Sequence, residues 1–179
     1  MGLLSSYETN KTLNDMNRTY LLLILYILLG VNTSSFANNY IVVSKQKLML
    51  YVVNTQQDTL CAINCAVGTN YGNKQEKGDK KTPEGTFKIT KIQKSKTWTH
   101  DFKDGYGYRK GAYGPWFFRL KVPNFVGIGI HGTCFPDSIG TRSSEGCIRL
   151  RNEDILILKQ FVYIGMKCII EEDNPDNTL

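Results

Sequence analysis

The chain has 179 residues, 41% of them hydrophobic and 11% aromatic, and a formal net charge of +6 at pH 7. That is enough for one domain with a real core and too little for two ordinary ones. The lysine-rich excess favours anionic surfaces in general. Without an arginine-rich helix, zinc-finger spacing or aromatic RNA-binding motif beside it, direct nucleic-acid recognition is set aside.

Residues 1–37 read as an address. A polar leader ending at Arg18 precedes the apolar run Tyr20 to Val31, which is followed by NTSSFA, with Ser35 and Ala37 at the −3 and −1 positions of a cleavage site. The run is too short for the roughly 20 apolar residues that span a bilayer, so export with cleavage is expected. Met16, followed directly by NRTYLLL, makes a tighter signal sequence than Met1 and is a candidate true start. The exported domain is expected over 38–172, with a flexible tail at 173–179.

Taken in order, YIVVSKQKLMLYVV from Tyr40 to Val53 has two apolar runs around a polar turn, the pattern of a hairpin. A third strand is expected from Leu60 to Val67. Cys61 and Cys65 fall in it four strand steps apart, too far for a disulfide. The segment from Gly68 to Gly85, rich in glycine and lysine, reads as a solvated loop, and TFKITKI after it as a strand. Gln93 to Pro115 reads as a long loop or irregular hairpin, of a length that usually caps or lines a site. FFRLKVP and FVGIGIHG predict two more strands, the second delivering His131 at its end. A short helix is predicted from Asn152, a capping-type residue, to Gln160, stopped before Gly165, with MKCIIEED as a final strand.

The chemistry concentrates between Gly127 and Asp154, which hold one of only two histidines and two of five cysteines. A thiol with an ordinary pKa of about 8.5 is only a few per cent thiolate at neutral pH, so a nucleophilic cysteine needs a base. His131 sits at a strand end, and the loop through Gly140 is long enough to bring Cys147 back beside it. Gly146 lets the backbone turn tightly, so that the amides of Gly146 and Cys147 can converge on an oxyanion.

IHGT, then SIG, then the S-x-G-C-I-R run ending in N-x-D resembles the signature of the YkuD-type L,D-transpeptidases, and TPEGTFKI resembles that family's T-P-x-G-x-F-x-I segment. The resemblance runs from about Tyr40 to Ile170. It implies a mainly β domain, sandwich- or barrel-like, with one short helix after the cysteine. It also implies an acyl transfer on peptidoglycan stem peptides. Cys147 would form a thioester with a tetrapeptide stem, releasing D-alanine, and pass the acyl group to an amine of a second stem. His131 would be general acid and base, oriented by the Gly132 carbonyl. Ser144 would shape the turn, and Arg149 would hold a stem carboxylate. No cofactor or metal is called for. The protein is expected to be a monomer in the periplasm or cell envelope of a bacterium, touching membrane only through its leader.

One position departs from the pattern. The family usually carries His immediately before the Gly-Cys, where this chain has Glu145. An anion there raises the thiol pKa unless neutralised, for which Arg142 and Arg149 are the candidates. Three other readings compete. Water as acceptor makes the site an L,D-carboxypeptidase; loss of chemistry at Glu145 leaves a wall-binding module; a thiol redox protein lacks its C-x-x-C. A zinc site from His131, Cys134, Cys147 and Cys168 lacks the close ligand pairs of structural sites. Cys134 reads as a loop thiol near the site. His100 reads as an exposed loop residue, with membership of a lid as its functional alternative.

Overall fold

The computed structural model describes residues 38–173, together with Tyr20. The leader and cleavage site lie otherwise outside the described residues, as do residues 174–179. Among the described residues no helix is long and apolar enough to cross a membrane.

The domain is mainly β, built on one curled sheet and one helix. β1 (Tyr40–Ser44) and β2 (Met49–Val53) form the expected hairpin, and β3 (Thr59–Asn64) adds to its far edge. β5 (Gly85–Lys94) is the long central strand. Its first half pairs with β12 (Lys167–Ile170) and its second half with β8 (Trp116–Leu120), with a register shift between Ile89 and Lys91. A bulge of this kind bends a strand and increases its twist, so β5 carries the sheet round a corner. Beyond β8 lie β9 (Gly129–His131) and β11 (Ile148–Arg149), giving the order β11-β9-β8-β5-β12-β1-β2-β3. Side chains alternate across each strand, and the inward set, including Ile41, Leu50, Ile89, Phe118, Ile130 and Ile148, is fully buried. Each such side chain stabilises the fold by about 1.5–3 kcal/mol. The helix α1 (Asn152–Leu158) closes this core with Ile155 and Leu158.

Some local expectations hold and others are revised. The strand expected from Leu60 to Val67 breaks at Asn64. Val67–Gly68 is instead a separate short strand, β4, paired in parallel with β10 (Arg142–Ser144). Cys61 and Cys65 are unbridged. Residues 93–115 fold back as a small hairpin of β6 (Thr99–Asp101) and β7 (Tyr108–Lys110). Asn152 does not cap its helix: Arg151 is the N-cap residue, without a side-chain cap bond, and the Asn152 Oδ1 accepts the Thr133 amide at 3.0 Å.

The segment from Gly68 to Gly85 is not a loose solvated loop. Asp79 accepts hydrogen bonds from the buried Lys74 side chain at 2.6 Å and from the amides of Gln75, Glu76 and Lys81. Thr82 accepts the Gly68 amide at 2.8 Å. Glu84 meets Lys45, whose Nζ is also 3.6 Å from Asp173. Asp173, assigned from sequence to the tail, is buried: it accepts from Arg142 at 2.5 Å and from the Gly72 amide at 3.2 Å. Burial of these carboxylates is tolerable because each has a cation and further hydrogen bonds.

Candidate active site

β9 and β11 run parallel, with Ile148 beside Ile130 and Arg149 beside His131. Because Ile130 and Ile148 both point into the core, alternation sends Cys147, Arg149 and His131 to the opposite face. There they line one groove together with His100, Tyr113, Glu145 and Gly127. The cavity is small, about 140 Å³. It adjoins a larger one of about 460 Å³ that shares Phe102, Glu145 and Arg149 with it.

His131 is buried and held on every side. Its ring stacks on Phe117 at 5.2 Å with an 8° interplanar angle, and Tyr113 meets it edge-on at 4.9 Å. Nδ1 lies 2.5 Å from the Gly132 carbonyl oxygen. A carbonyl only accepts, so Nδ1 carries the hydrogen and Nε2 of the neutral ring is a free base. Burial, reinforced by the Arg149 charge, pushes the imidazole pKa down to about 3 against the pull of the Gly132 bond. His131 is therefore neutral at physiological pH. The backbone beneath it is glycine for a reason: a Cβ on Gly132 would sit 2.3 Å from Asn152 Oδ1 and 3.0 Å from Gly114 Cα.

The Cys147 thiol donates to the Gly127 carbonyl at 3.4 Å, and the Gly129 amide donates to the sulfur. Its pKa is raised, first by burial and last by the Glu145 charge, against the Gly129 bond and the nearby Arg149 and Arg119 guanidinium groups. Thiol and imidazole thus rest as a neutral pair. The turn before the thiol is held by Ser144, whose hydroxyl donates to the Cys147 carbonyl at 2.6 Å and accepts from the Gly146 amide at 3.1 Å. Gly146 has φ of +126°, and a Cβ there would meet the Lys81 carbonyl at 2.8 Å, so this position admits only glycine.

Two sequence expectations change here. The Gly146 amide is already engaged by Ser144, so of the expected amide pair Cys147 N–H remains as a donor for an oxyanion. Arg142 does not reach Glu145. It turns inward to Asp173 and the Lys45 carbonyl, with its guanidinium 3.8 Å above the Tyr71 ring. Glu145 instead bonds His100, Nε2 to Oε2 at 2.9 Å. The other nitrogen, Nδ1, lies 3.0 Å from the Tyr113 hydroxyl. Arg149, 7% exposed, donates to the Ser143 carbonyl at 3.3 Å and lies over Phe102. Most of its donors are left for the groove. His100, Tyr113 and Asn152 are the site residues that the sequence reading undervalued. The signals for His100 were the scarcity of histidine in the chain and its place in a long segment of the kind that lines a site.

A curled β domain with a cysteine, an oriented imidazole and a buried arginine on one groove defines a class of Cys/His proteins. The chain belongs to the YkuD family, the L,D-transpeptidase catalytic domain, whose profile matches residues 38–170. Among curated relatives, YqjB of Bacillus subtilis (strain 168) is 31% identical over 99 residues, 55% of this chain and 56% of that protein. YkuD of Bacillus licheniformis is 40% identical over 60 residues, 34% of each chain. The chain thus matches about half or less of the length of these relatives. In fold it is similar to the catalytic domain of the E. faecium L,D-transpeptidase, with a TM-score of 0.54 and 18% identity, covering 74% of this chain and 96% of that one. It is similar too to an L,D-transpeptidase from Mycobacterium smegmatis, with a TM-score of 0.56 and 19% identity over 75% of this chain and 58% of that one.

Proposed function

We propose that this domain is a peptidoglycan-remodelling L,D-transpeptidase acting through a Cys147 thioester. The observation that carries the reading is that the Cys147 thiol lines one groove with a neutral imidazole whose Nδ1 is tied to the Gly132 carbonyl, on the groove face of β9 and β11.

The chemistry follows from that geometry. The thiol swings from the Gly127 carbonyl towards His131, and Nε2 takes its proton as sulfur attacks the amide before the terminal D-alanine of a tetrapeptide stem. The C–N bond breaks, the imidazolium returns its proton to the leaving amine, and D-alanine departs. An amine of a second stem then attacks the thioester, giving its proton to His131, and the thiol is reprotonated as the new amide forms. Burial makes the imidazolium a costly intermediate, which favours proton transfer concerted with attack. Arg149 has donors free to hold a stem carboxylate. The small cavity admits the reacting end of a stem, and the adjoining larger one offers space for the rest. The site of action would be the cell envelope, reached through the export leader.

Incubation of the purified protein with tetrapeptide-stem muropeptides, followed by mass analysis, tests the reading. Cross-linked dimers and released D-alanine are expected, with both lost in Cys147→Ala. D-alanine release without dimers assigns the same site to carboxypeptidase chemistry. Unchanged muropeptides, together with no mass shift on exposure to a carbapenem β-lactam, would leave a wall-binding module.

A further inference from the structure

We propose that His100 is a positioning residue for this site: through a Glu145–His100–Tyr113 relay it pins the β6–β7 hairpin over the thiol and sets whether the Tyr113 hydroxyl donates into the groove. The proposal rests on the acyl-transfer reading above and concerns residues peculiar to this chain, since Glu145 stands where the family resemblance leads one to expect histidine.

The relay is continuous. Glu145 precedes Cys147 by two residues, His100 bridges it to Tyr113 with contacts of 2.9 and 3.0 Å, and the Tyr113 ring lies against His131. His100 is also packed edge-on against Phe102 at 4.6 Å. All three polar members line the groove with Cys147. The relay therefore connects both ends of the candidate catalytic pair to a hairpin that is otherwise a separate two-stranded sheet.

Proton accounting gives the relay two states. A Glu145 carboxylate only accepts, so Nε2 of His100 carries a hydrogen in both. When the ring is neutral, Nδ1 is an acceptor and the Tyr113 hydroxyl spends its hydrogen there. When the ring is protonated, Nδ1–H donates to the Tyr113 oxygen, and the hydroxyl hydrogen is released towards the groove. Tyr113 keeps its hydrogen in both states, because burial and then the Cys147 and Glu145 charges push its pKa up. A donor at this point has work to do: the Gly146 amide is engaged by Ser144, and charge on the acyl oxygen develops as sulfur attacks. The groups facing His100 are Glu145 and Tyr113, then Asp101 on its own strand and His131 across the groove. Asp101 is held by Lys103 and His131 is neutral, so Glu145, whose charge also reaches Arg149 in the same groove, is the anion His100 bonds.

The test measures the rate of Cys147 acylation by a carbapenem, read by intact mass, as a function of pH. Wild type is compared with His100→Gln, His100→Ala and Tyr113→Phe. Glutamine can donate to Glu145 and accept from Tyr113, reproducing the neutral relay, but it takes up no proton. The advantage of wild type over His100→Gln should be smallest in alkali and should grow to roughly 100-fold as pH falls, the lower end of the range for loss of an oxyanion donor. His100→Ala should be slower than His100→Gln throughout, and in a Tyr113→Phe background the pH-dependent advantage should vanish. A ratio of wild type to His100→Gln that does not change with pH overturns the relay. So does persistence of the change in Tyr113→Phe. Failure of wild type to acylate at any pH, while iodoacetamide still labels Cys147, overturns the acyl-transfer reading and the relay with it.

Discussion

At the scale of single residues, the site depends on what each group is denied. His131 is denied water, and with its pKa down at about 3 it is unprotonated, with its Nε2 lone pair open, at any physiological pH. Cys147 is denied a cationic imidazole: His131 is neutral, and burial raises the thiol pKa against the pull of the Gly129 bond and the Arg149 and Arg119 charges. Alkylation of Cys147 by iodoacetamide should therefore be slow at neutral pH and rise through the alkaline range, with a midpoint above the ordinary value of about 8.5. A reactive plateau extending down to acid pH would instead indicate a thiolate–imidazolium pair. Much of this was legible beforehand. Cys147, His131 and the Gly132 carbonyl follow from residue types and spacing together with the family resemblance. The partner of Glu145 did not follow, because His100 is 45 residues away along the chain and reaches it only through a fold-back no local pattern specifies.

At the scale of elements, most strands were readable because each buries one face, and period-2 alternation survives in the sequence. The exceptions have physical causes. Leu60 to Val67 reads as one strand because its apolar content is continuous, yet β3 pairs with β2 while β4 pairs with β10 in another sheet. Asn152 reads as a helix cap because its local chemistry fits, but Thr133 claims its side chain. That contact braces the His131–Gly132 backbone from behind, across the close approach of Gly114. Asn152→Ala should therefore cost about 1–3 kcal/mol, the range for leaving a buried amide unpaired, as read from the denaturant midpoint. It should also slow Cys147 acylation, because the carbonyl that orients His131 loses its support. Unchanged stability with unchanged acylation would remove Asn152 from the site's framework.

For the molecule as a whole, the lysine-rich segment and the C-terminal strand meet in one buried charge cluster. Lys45, 1% exposed, meets Glu84 and Asp173 and donates to the carbonyls of Gly72 and Thr82, while Arg142 completes the pairing of Asp173. The cluster joins the β1–β2 turn, the 68–85 segment, the end of β12 and the strand that leads into the catalytic turn. Removing Lys45 leaves Glu84 without its cation and Asp173 with Arg142 alone, so Lys45→Ala should lose about 3–5 kcal/mol of stability. A loss under about 1 kcal/mol, the usual worth of an exposed pair, would mean that water reaches the cluster.

By itself the sequence determined a mainly β domain, its family, and a candidate cysteine and histidine on either side of a glycine-bearing loop. These reside in alternation, residue type and short spacing, which a chain carries locally. The tertiary structure alone decided the rest: that Arg142 faces an internal carboxylate, that Ser144 occupies the Gly146 amide, and that His100 closes on Glu145 above the thiol. Each of these is a choice among several chemically suitable partners. Proximity makes that choice, and proximity between distant segments is set by how β5 turns the sheet and where the β6–β7 hairpin falls.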